Sequence, residues 1–504
     1  FGFMPAVIFE SAVNLNARQV GANIWPILTL AVPGLLLSTA IIGAIFSAFT
    51  PFDLLVSLLL GAILSATDPV AVIAIFKQLG VPERLTILVE GESLFNDATS
   101  LVLATLLIGI VSAGAFSTGV IVEGIGEFFV VFLGGVLVGW LLAVAVGYTL
   151  GNIESDASIE ITFTTILAYF SFIIAEHVFH VSGIMAVVAA GLTIGSWGKS
   201  KISPSTSEFM EHFWEYLAYL ANALIFLMVG LQIDLMTLWD SVDLIIYVII
   251  AMLISRAIVV FGLVPLVGKL PGSDPVQLPF QKVMYWGGLR GAIALAIVLS
   301  LPASFEHKDT MIAIVMGAVL FTLLVQGLSI EHLVKILGLD KLSVPDELAK
   351  LEGDKHAREE GLSRLDRLVS GGLFSQRIAD NLRKKCEQNL ARLNGEIAEL
   401  HDRMGEKDAL QILGMRCLAR EKARYYELFS RGLINEWAFR ELDHTVDVQL
   451  DEVRHHGMLP RAEVRAPVTK TLSLWVFRIL DWMPGLHPVV EKFRTLNIVR
   501  DYDV

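Results

Sequence analysis

Residues 1–340 run as long apolar blocks separated by short polar breaks, while residues 341–504 are rich in charge. A mostly apolar run of about twenty residues is long enough to cross a bilayer as a helix. On that basis the first part holds a partial span over 1–16 and ten full spans. These lie at 24–49, 54–76, 84–112, 124–150, 158–179, 182–197, 208–233, 243–268, 280–301 and 309–336. The pattern predicts an all-α polytopic membrane protein, with a transmembrane domain over 1–340 and a helical tail over 341–504. Within the tail, residues 376–455 repeat with a helical period, as in Leu390-Ala391-Arg392-Leu393 followed by Glu396-Ile397-Ala398-Glu399-Leu400. The run from Trp475 through Leu480, with Trp482, suits either a membrane surface or packing on another helix. The chain opens at Phe1 inside an apolar block, so further spans are expected before it.

Two spans carry helix-breaking chemistry at mid-depth. In 54–76 it is Ala66-Thr67-Asp68-Pro69, where Pro69 lacks an amide hydrogen and its ring clashes with the carbonyl of Ser65. In 280–301 it is Trp286-Gly287-Gly288-Leu289-Arg290-Gly291, where three glycines weaken the helix around a cation. The two spans are an odd number of crossings apart, so they run in opposite directions, each in the middle of a three-span group. Interrupted helices at corresponding, inverted positions point to an inverted-repeat transporter fold. Opened backbone at this depth is tolerated only inside protein or along a cavity, so the two breaks are expected to meet.

Composition and charge sharpen this picture. Hydrophobic residues make up 54% of the chain, and the whole net charge of −13 falls within 1–340. No basic excess exists to bind nucleic acid. Cys386 and Cys417 lack metal-ligand spacing and imply no disulfide framework. Arg18, Lys77, Arg84, Lys199, Lys201, Lys269, Lys282 and Lys335 fall on one side of the predicted membrane, against Lys308 alone on the other. The positive-inside rule makes the first side, and with it the tail, cytoplasmic. The outer side carries Asp53, Glu176, Asp234, Asp240, Asp243, Glu306 and Asp309, either a cation-attracting surface or ordinary solvated loop charge.

The candidate chemistry sits in the apolar run from Leu85 to Phe116, which holds Glu90, Glu92 and Asp97 and no basic residue. Ionisable groups inside a bilayer are costly and persist mainly where they handle ions or protons. Asp97 lies thirteen residues from Arg84, or roughly 20 Å along a helix. Counted from their own span ends, Asp68, Arg256 and Arg290 reach a similar plane. Asp97 stacks over Ser93, and Asn96 over Glu92, at a spacing of four. Asp97 and Ser93 offer oxygen ligands to a small hard cation, and Asp68, Thr67 and freed backbone carbonyls offer more. A buried carboxylate that takes either a proton or a cation suffices for exchange. Asp68 has a second reading, as a cap on the kink. Arg256 needs an acidic partner and Glu92 lies at compatible depth, a structural ion pair. Arg290 either neutralises the broken helix or pairs with another acid. Glu10 is a ligand candidate or an interfacial residue. Glu90 has no assigned role, and His177 and His180 fall near the outer boundary.

Ala66-Thr67-Asp68-Pro69-Val70, Gly91-Glu92-Ser93-Leu94-Phe95-Asn96-Asp97, Ser255-Arg256-Ala257 and Gly287-Gly288-Leu289-Arg290-Gly291-Ala292 resemble the signatures of NhaP-type sodium/proton antiporters. These belong to the monovalent cation:proton antiporter superfamily, in the branch of the animal sodium/proton exchangers. Phe9-Glu10 with Asn14-Leu15 resembles a further family stretch, and the likeness covers roughly 1–340. The resemblance implies a thirteen-span fold with a dimerisation domain and a mobile six-helix core, and hence a homodimer in the plasma membrane. It implies Na+ or Li+ at Asp97 and Asp68, with Asn96, Ser93, Thr67 and Glu10 in or near the site. It also implies Glu92 and Arg256 as a core ion pair, with Arg290 and Pro69 supporting the core. The Asn96-Asp97 pair resembles the electroneutral branch. No cofactor is implied beyond the transported cation and proton. A potassium/proton antiporter of the same fold is the nearest alternative, and a cation channel a more distant one. An intramembrane aspartyl protease requires a Gly-x-Gly-Asp context that neither Asp68 nor Asp97 has. The likeness does not cover the tail to the same degree; long cytoplasmic tails are often regulatory in this family, which implies a regulatory role for 341–504, although no phosphate or calcium loop is present there.

Overall fold

The computed structural model describes residues 2–113, 118–151, 156–198, 202, 204–232, 235–268, 274–302, 305, 307–340, 344–370 and 375–456. Lys199, Lys201, Asp234, Lys269, Glu306 and the run from Trp475 to Trp482 lie outside the described residues. The chain divides into two compact units, Phe1–Lys341 and Leu342–Val504. Helices form all the regular structure among the described residues.

In the first unit the helices are α1 (Met4–Asn14), α2 (Ala17–Ala22), α3 (Ile24–Phe49), α4 (Leu54–Ser65), α5 (Val70–Leu79), α6 (Glu83–Ala113) and α7 (Thr118–Leu150). They continue as α8 (Ala157–His177), α9 (Gly183–Gly195), α10 (Pro204–Gln232), α11 (Leu235–Asp240), α12 (Val242–Val267), α13 (Leu278–Trp286), α14 (Ala292–Leu299) and α15 (Lys308–Ile336). Among the described residues, seven segments are long and apolar enough to cross a membrane. They are α3, the α4–α5 pair, α6, α7, α8, α12 and α15. The other three expected spans differ for local reasons. The 182–197 span is the short helix α9, and 208–233 falls within the longer helix α10. The 280–301 span is split into α13 and α14.

Three apolar clusters hold this unit together. One surrounds Phe9 and Trp214, both fully buried with ring centroids 4.5 Å apart. A second gathers Ile42, Leu59, Val248, Leu295 and Ile314, and a third Ile27, Phe76, Leu88, Val260 and Met284. Helix α6 supplies Leu94 to the first, Ala104 to the second and Leu88 to the third, so the acidic helix runs through the middle. Lipid gives helices little hydrophobic reason to associate, so small residues at contacts matter. A Cβ on Gly139 of α7 would lie 1.9 Å from the Ala186 carbonyl oxygen of α9, and only glycine permits that approach.

Polar ends are fixed by side chains. Asp156 accepts from Ser158 N–H at 2.8 Å and Ile159 N–H at 3.2 Å, capping α8. Glu176 accepts from Gly183 N–H at 3.1 Å, so this carboxylate serves the start of α9 as well as carrying loop charge. Three spans contain a π-turn: Leu30–Gly34 in α3, Val259–Leu263 in α12 and Thr322–Gly327 in α15. Such turns shift side chains off the regular helical register and recur at functional sites.

The second unit contains α16 (Val344–Ser370), α17 (Gln376–Arg403), α18 (Glu406–Ser430) and α19 (Glu436–His456). Leu348, Leu400 and Ile412 form one small core and Leu418, Val446 and Val453 another. Arg416 pairs with Glu352, and Lys422 with Asp447 at 2.5 Å. Cys386 and Cys417 are free thiols, and no cluster of His, Cys, Asp and Glu suited to a metal occurs among the described residues.

Candidate functional site

The first break is short and its polar groups are almost all engaged. Helix α4 ends at Ser65, Ala66 is extended, and α5 begins at Val70. Pro69 cannot donate to α4, which is why the helix opens here. The Asp68 carboxylate accepts from Val70 N–H at 3.1 Å and also from the backbone N–H of Ala292. One side chain therefore caps the first turns of both α5 and α14, where a negative group is favoured. The Asp68 N–H donates to the Leu289 carbonyl at 2.8 Å, so the two breaks touch through backbone.

The second break is built to receive the first. A Cβ on Gly291 would fall 1.9 Å from Asp68 Oδ2, so glycine is needed there for room. The N–H of Arg290 donates to Thr322 Oγ1 at 3.1 Å, from the π-turn of α15. The guanidinium of Arg290 is 3% exposed and donates from Nη1 to the carbonyls of Ser65 at 3.1 Å and Ala66 at 2.9 Å. A cation thus sits on the negative end of α4. Its Nε has no hydrogen-bond partner among the described residues.

Helix α6 crosses this junction. Ser93 Oγ donates to the Thr67 carbonyl, and Asn96 Nδ2 donates to Thr67 Oγ1 at 2.7 Å. Thr67 N–H returns a bond to Asn96 Oδ1 at 3.3 Å. One turn further, Ser100 Oγ donates to the Ala62 carbonyl at 2.7 Å. Asp97 stands apart. Among the described residues its carboxylate has no hydrogen bond and no ion pair, and its charged neighbours are Asp68 and Arg290. Asp97 and Asp68 are partly accessible, while Glu92, Ser93 and Asn96 are buried.

Glu92, five residues before Asp97, has a different fate. Both terminal nitrogens of Arg256 donate to its carboxylate, Nη2 to Oε2 at 3.0 Å. Arg256 also donates from Nη2 and Nε to the Met284 carbonyl, at 2.9 and 3.3 Å, near the end of α13. Each break therefore has its carbonyl end closed by an arginine from another segment.

The structure brings together Asp97, Asp68, Thr67, Asn96, Ser93, Pro69 and Arg290, and separately Glu92 with Arg256. It does not bring Glu10 to this group. Glu10 accepts from Asn14 Nδ2 at 3.0 Å and Ser11 Oγ at 3.4 Å, and its charged neighbours are Lys77, Glu215 and Glu90. The expectation of free backbone carbonyls at the first break needs correction. Those of Ser65 and Ala66 accept from Arg290 and that of Thr67 from Ser93. Thr322 is the residue that sequence reasoning missed. A threonine in an apolar span gives no signal, because its role depends on a π-turn and a neighbour thirty-two residues away.

Fold and site define a helical membrane protein whose polar centre is assembled from two interrupted helices and a buried acidic one. A family model described as sodium/hydrogen exchanger, transmembrane, matches residues 2–336, and the chain belongs to that family. It is 38% identical over 341 residues to the Na(+)/H(+) antiporter ApNhaP of Aphanothece halophytica, covering 67% of this chain and 64% of that one. It is 35% identical over 358 residues to the low-affinity Na(+)/H(+) antiporter NhaS1 of Synechocystis sp., covering 69% of this chain and 66% of that one. The chain thus spans just under two thirds of the length of these curated relatives. The solved structure of the sodium proton antiporter MjNhaP1 from Methanocaldococcus jannaschii superposes with a TM-score of 0.56 at 19% identity. The match covers 67% of this chain and 84% of that one, a likeness of fold.

Proposed function

We propose that the protein is a secondary transporter, not an enzyme, exchanging Na+, and with it Li+, for protons by alternating access. One observation carries the reading: at the junction of two broken helices, Asp97 alone among its polar neighbours has a carboxylate without a partner. A carboxylate in a low-dielectric site is stable when neutralised, by a proton or by a cation, and the two compete. Asp97 is the exchanging group in this reading, and Asp68, already capping two helices, contributes its second oxygen and its charge. Thr67, Ser93 and Asn96 hold the first break in register, with the Thr67 hydroxyl as a further oxygen ligand. Arg290 balances the charge left when Asp97 is empty, and Glu92 with Arg256 is a structural pair. Glu10 serves the approach to the site near Lys77 and Glu90. One cation moves per proton, the protein is a homodimer in the plasma membrane, and the tail is cytoplasmic and regulatory. Membership of the sodium/hydrogen exchanger family and the named activities of the relatives support this proposal.

The test is exchange in everted vesicles holding a pH gradient, to which sodium, lithium and potassium are added in turn. Sodium and lithium should collapse the gradient; a response to potassium alone would replace the proposal with potassium/proton exchange. Asp97→Asn should abolish the response, and a folded Asp97→Asn protein that exchanges normally would refute the assignment. Clamping the membrane potential should leave the rate unchanged if exchange is one for one.

A further inference from the structure

Away from the carboxylates, the ends of three helices frame an open groove of about 450 Å³. Phe261 of α12, Tyr285 of α13 and Leu333 of α15 supply apolar and aromatic wall. Lys282 of α13 and His332 of α15 also line it, almost wholly through carbon, and both are exposed with neither in an ion pair among the described residues. The carboxylate nearest in sequence, Glu331, is engaged by Lys335 Nζ at 2.6 Å. Trp286 is fixed by its indole N–H, which donates to Ser329 Oγ at 2.7 Å.

Depth decides what fits. Lys282 lies four residues inside the start of α13 and His332 four residues inside the end of α15. At the helical rise, that is about 6 Å from the helix ends, the level where lipid headgroups meet acyl chains. On α15, Leu328, His332 and Ile336 follow one another at a spacing of four, one row on the helix surface. Leu328 is 78% exposed and Ile336 68%, so the row flanks the His332 imidazole with apolar surface open to lipid. A soluble anion has no use for these walls, and a purely apolar ligand has no use for Lys282. Basic pockets between membrane helices on the cytoplasmic side are suited to lipid phosphates.

We propose that this groove binds an anionic phospholipid, its phosphate held by Lys282 and His332 and an acyl chain lying along Phe261, Leu333 and Leu328. The proposal requires only the membrane boundary and stands apart from the cation assigned to Asp97. With the tail side cytoplasmic, the lipid comes from the leaflet where anionic lipids carry the negative surface potential.

Thermal unfolding of the purified protein in phosphatidylcholine, titrated with phosphatidylglycerol, tests it. Phosphatidylglycerol should raise the unfolding temperature, and inorganic phosphate should not. Lys282→Gln with His332→Gln should weaken the apparent phosphatidylglycerol affinity about tenfold, as expected for the loss of two basic contacts at a lipid surface. Lys282→Arg should retain it within about twofold, since it keeps the charge; this variant decides the matter if the double variant unfolds early in phosphatidylcholine alone. Equal stabilisation by both lipids, an equal shift from phosphate, or an unchanged affinity in the double variant would each overturn the proposal.

Discussion

Arg256 and Arg290 do the same local job at opposite breaks and differ in one respect. Arg256 closes the end of α13 through the Met284 carbonyl, and Arg290 closes the end of α4 through Ser65 and Ala66. Arg256 is also held by both oxygens of Glu92, whereas Arg290 has no carboxylate within ion-pair distance among the described residues. A neutralised pair has little charge left to offer a passing ion. An arginine that meets only carbonyls leaves a positive charge which Asp97 can balance from nearby. The same helix α6 thus carries a carboxylate committed to structure and, five residues later, one left uncommitted. That contrast is what the proposed exchange rests on.

The sharpest way to break the contrast is Glu92→Gln. Arg256 would be left buried without its partner charge, at a cost of about 3–5 kcal/mol, more than most membrane folds can lose without a fall in yield. Folded yield and the unfolding temperature should both drop, and replacing the pair together, with Glu92→Leu and Arg256→Met, should recover much of the loss. Normal yield for Glu92→Gln with normal exchange would remove the structural assignment.

The next effect is expected at Arg290. Arg290→Met strips the donor from two buried carbonyls, about 1–3 kcal/mol for each left unsatisfied. Unlike Glu92→Gln, it should also change the concentration of cation that half-collapses the pH gradient, because it removes the charge facing Asp97. A variant that loses stability while keeping its cation response would put Arg290 in the same class as Arg256. Gly291→Ala follows, since its added carbon would fall 1.9 Å from Asp68 Oδ2. Displacing that carboxylate should cost about 1–3 kcal/mol and uncap α5 and α14 together. Circular dichroism should report the stability loss, and the vesicle assay a weaker cation response.

How far the sequence carries differs along this same chain of residues. The spans are legible because a bilayer demands an unbroken apolar run, and the opening at Asp68-Pro69 because proline acts on its own helix. Depth alone matches Glu92 to Arg256, 164 residues apart, and the structure brings them together. The Ser65 and Ala66 carbonyls are another matter. Nothing local says that Arg290, more than two hundred residues on, will take them. The capping of Ala292 by Asp68 is hidden for the same reason, since it exists only once the two breaks cross. Glu10 shows the converse. Its position in a family-like stretch suggests the Asp97 site, but the course of α1 turns it toward Lys77 and Glu90.

The smallest expected effect supplies the control for the whole comparison. In the second unit Lys422 lies 2.5 Å from Asp447 and 3.4 Å from Asp443, contacts within about 0.5 Å of those between Arg256 and Glu92. The difference is burial: the Lys422 side chain is 38% exposed and that of Asp447 49%, against 11% for Arg256 and 2% for Glu92. Water solvates the partners of an exposed pair when the pair is broken, so such pairs contribute about 0–1 kcal/mol and are screened by salt. Lys422→Ala should therefore shift unfolding by about 0.5 kcal/mol or less, and raised salt should shrink even that difference. A loss comparable to that of Glu92→Gln would mean that contact distance, not the cost of leaving a charge buried, governs both pairs. The separation of Glu92 from Asp97 would then need another basis.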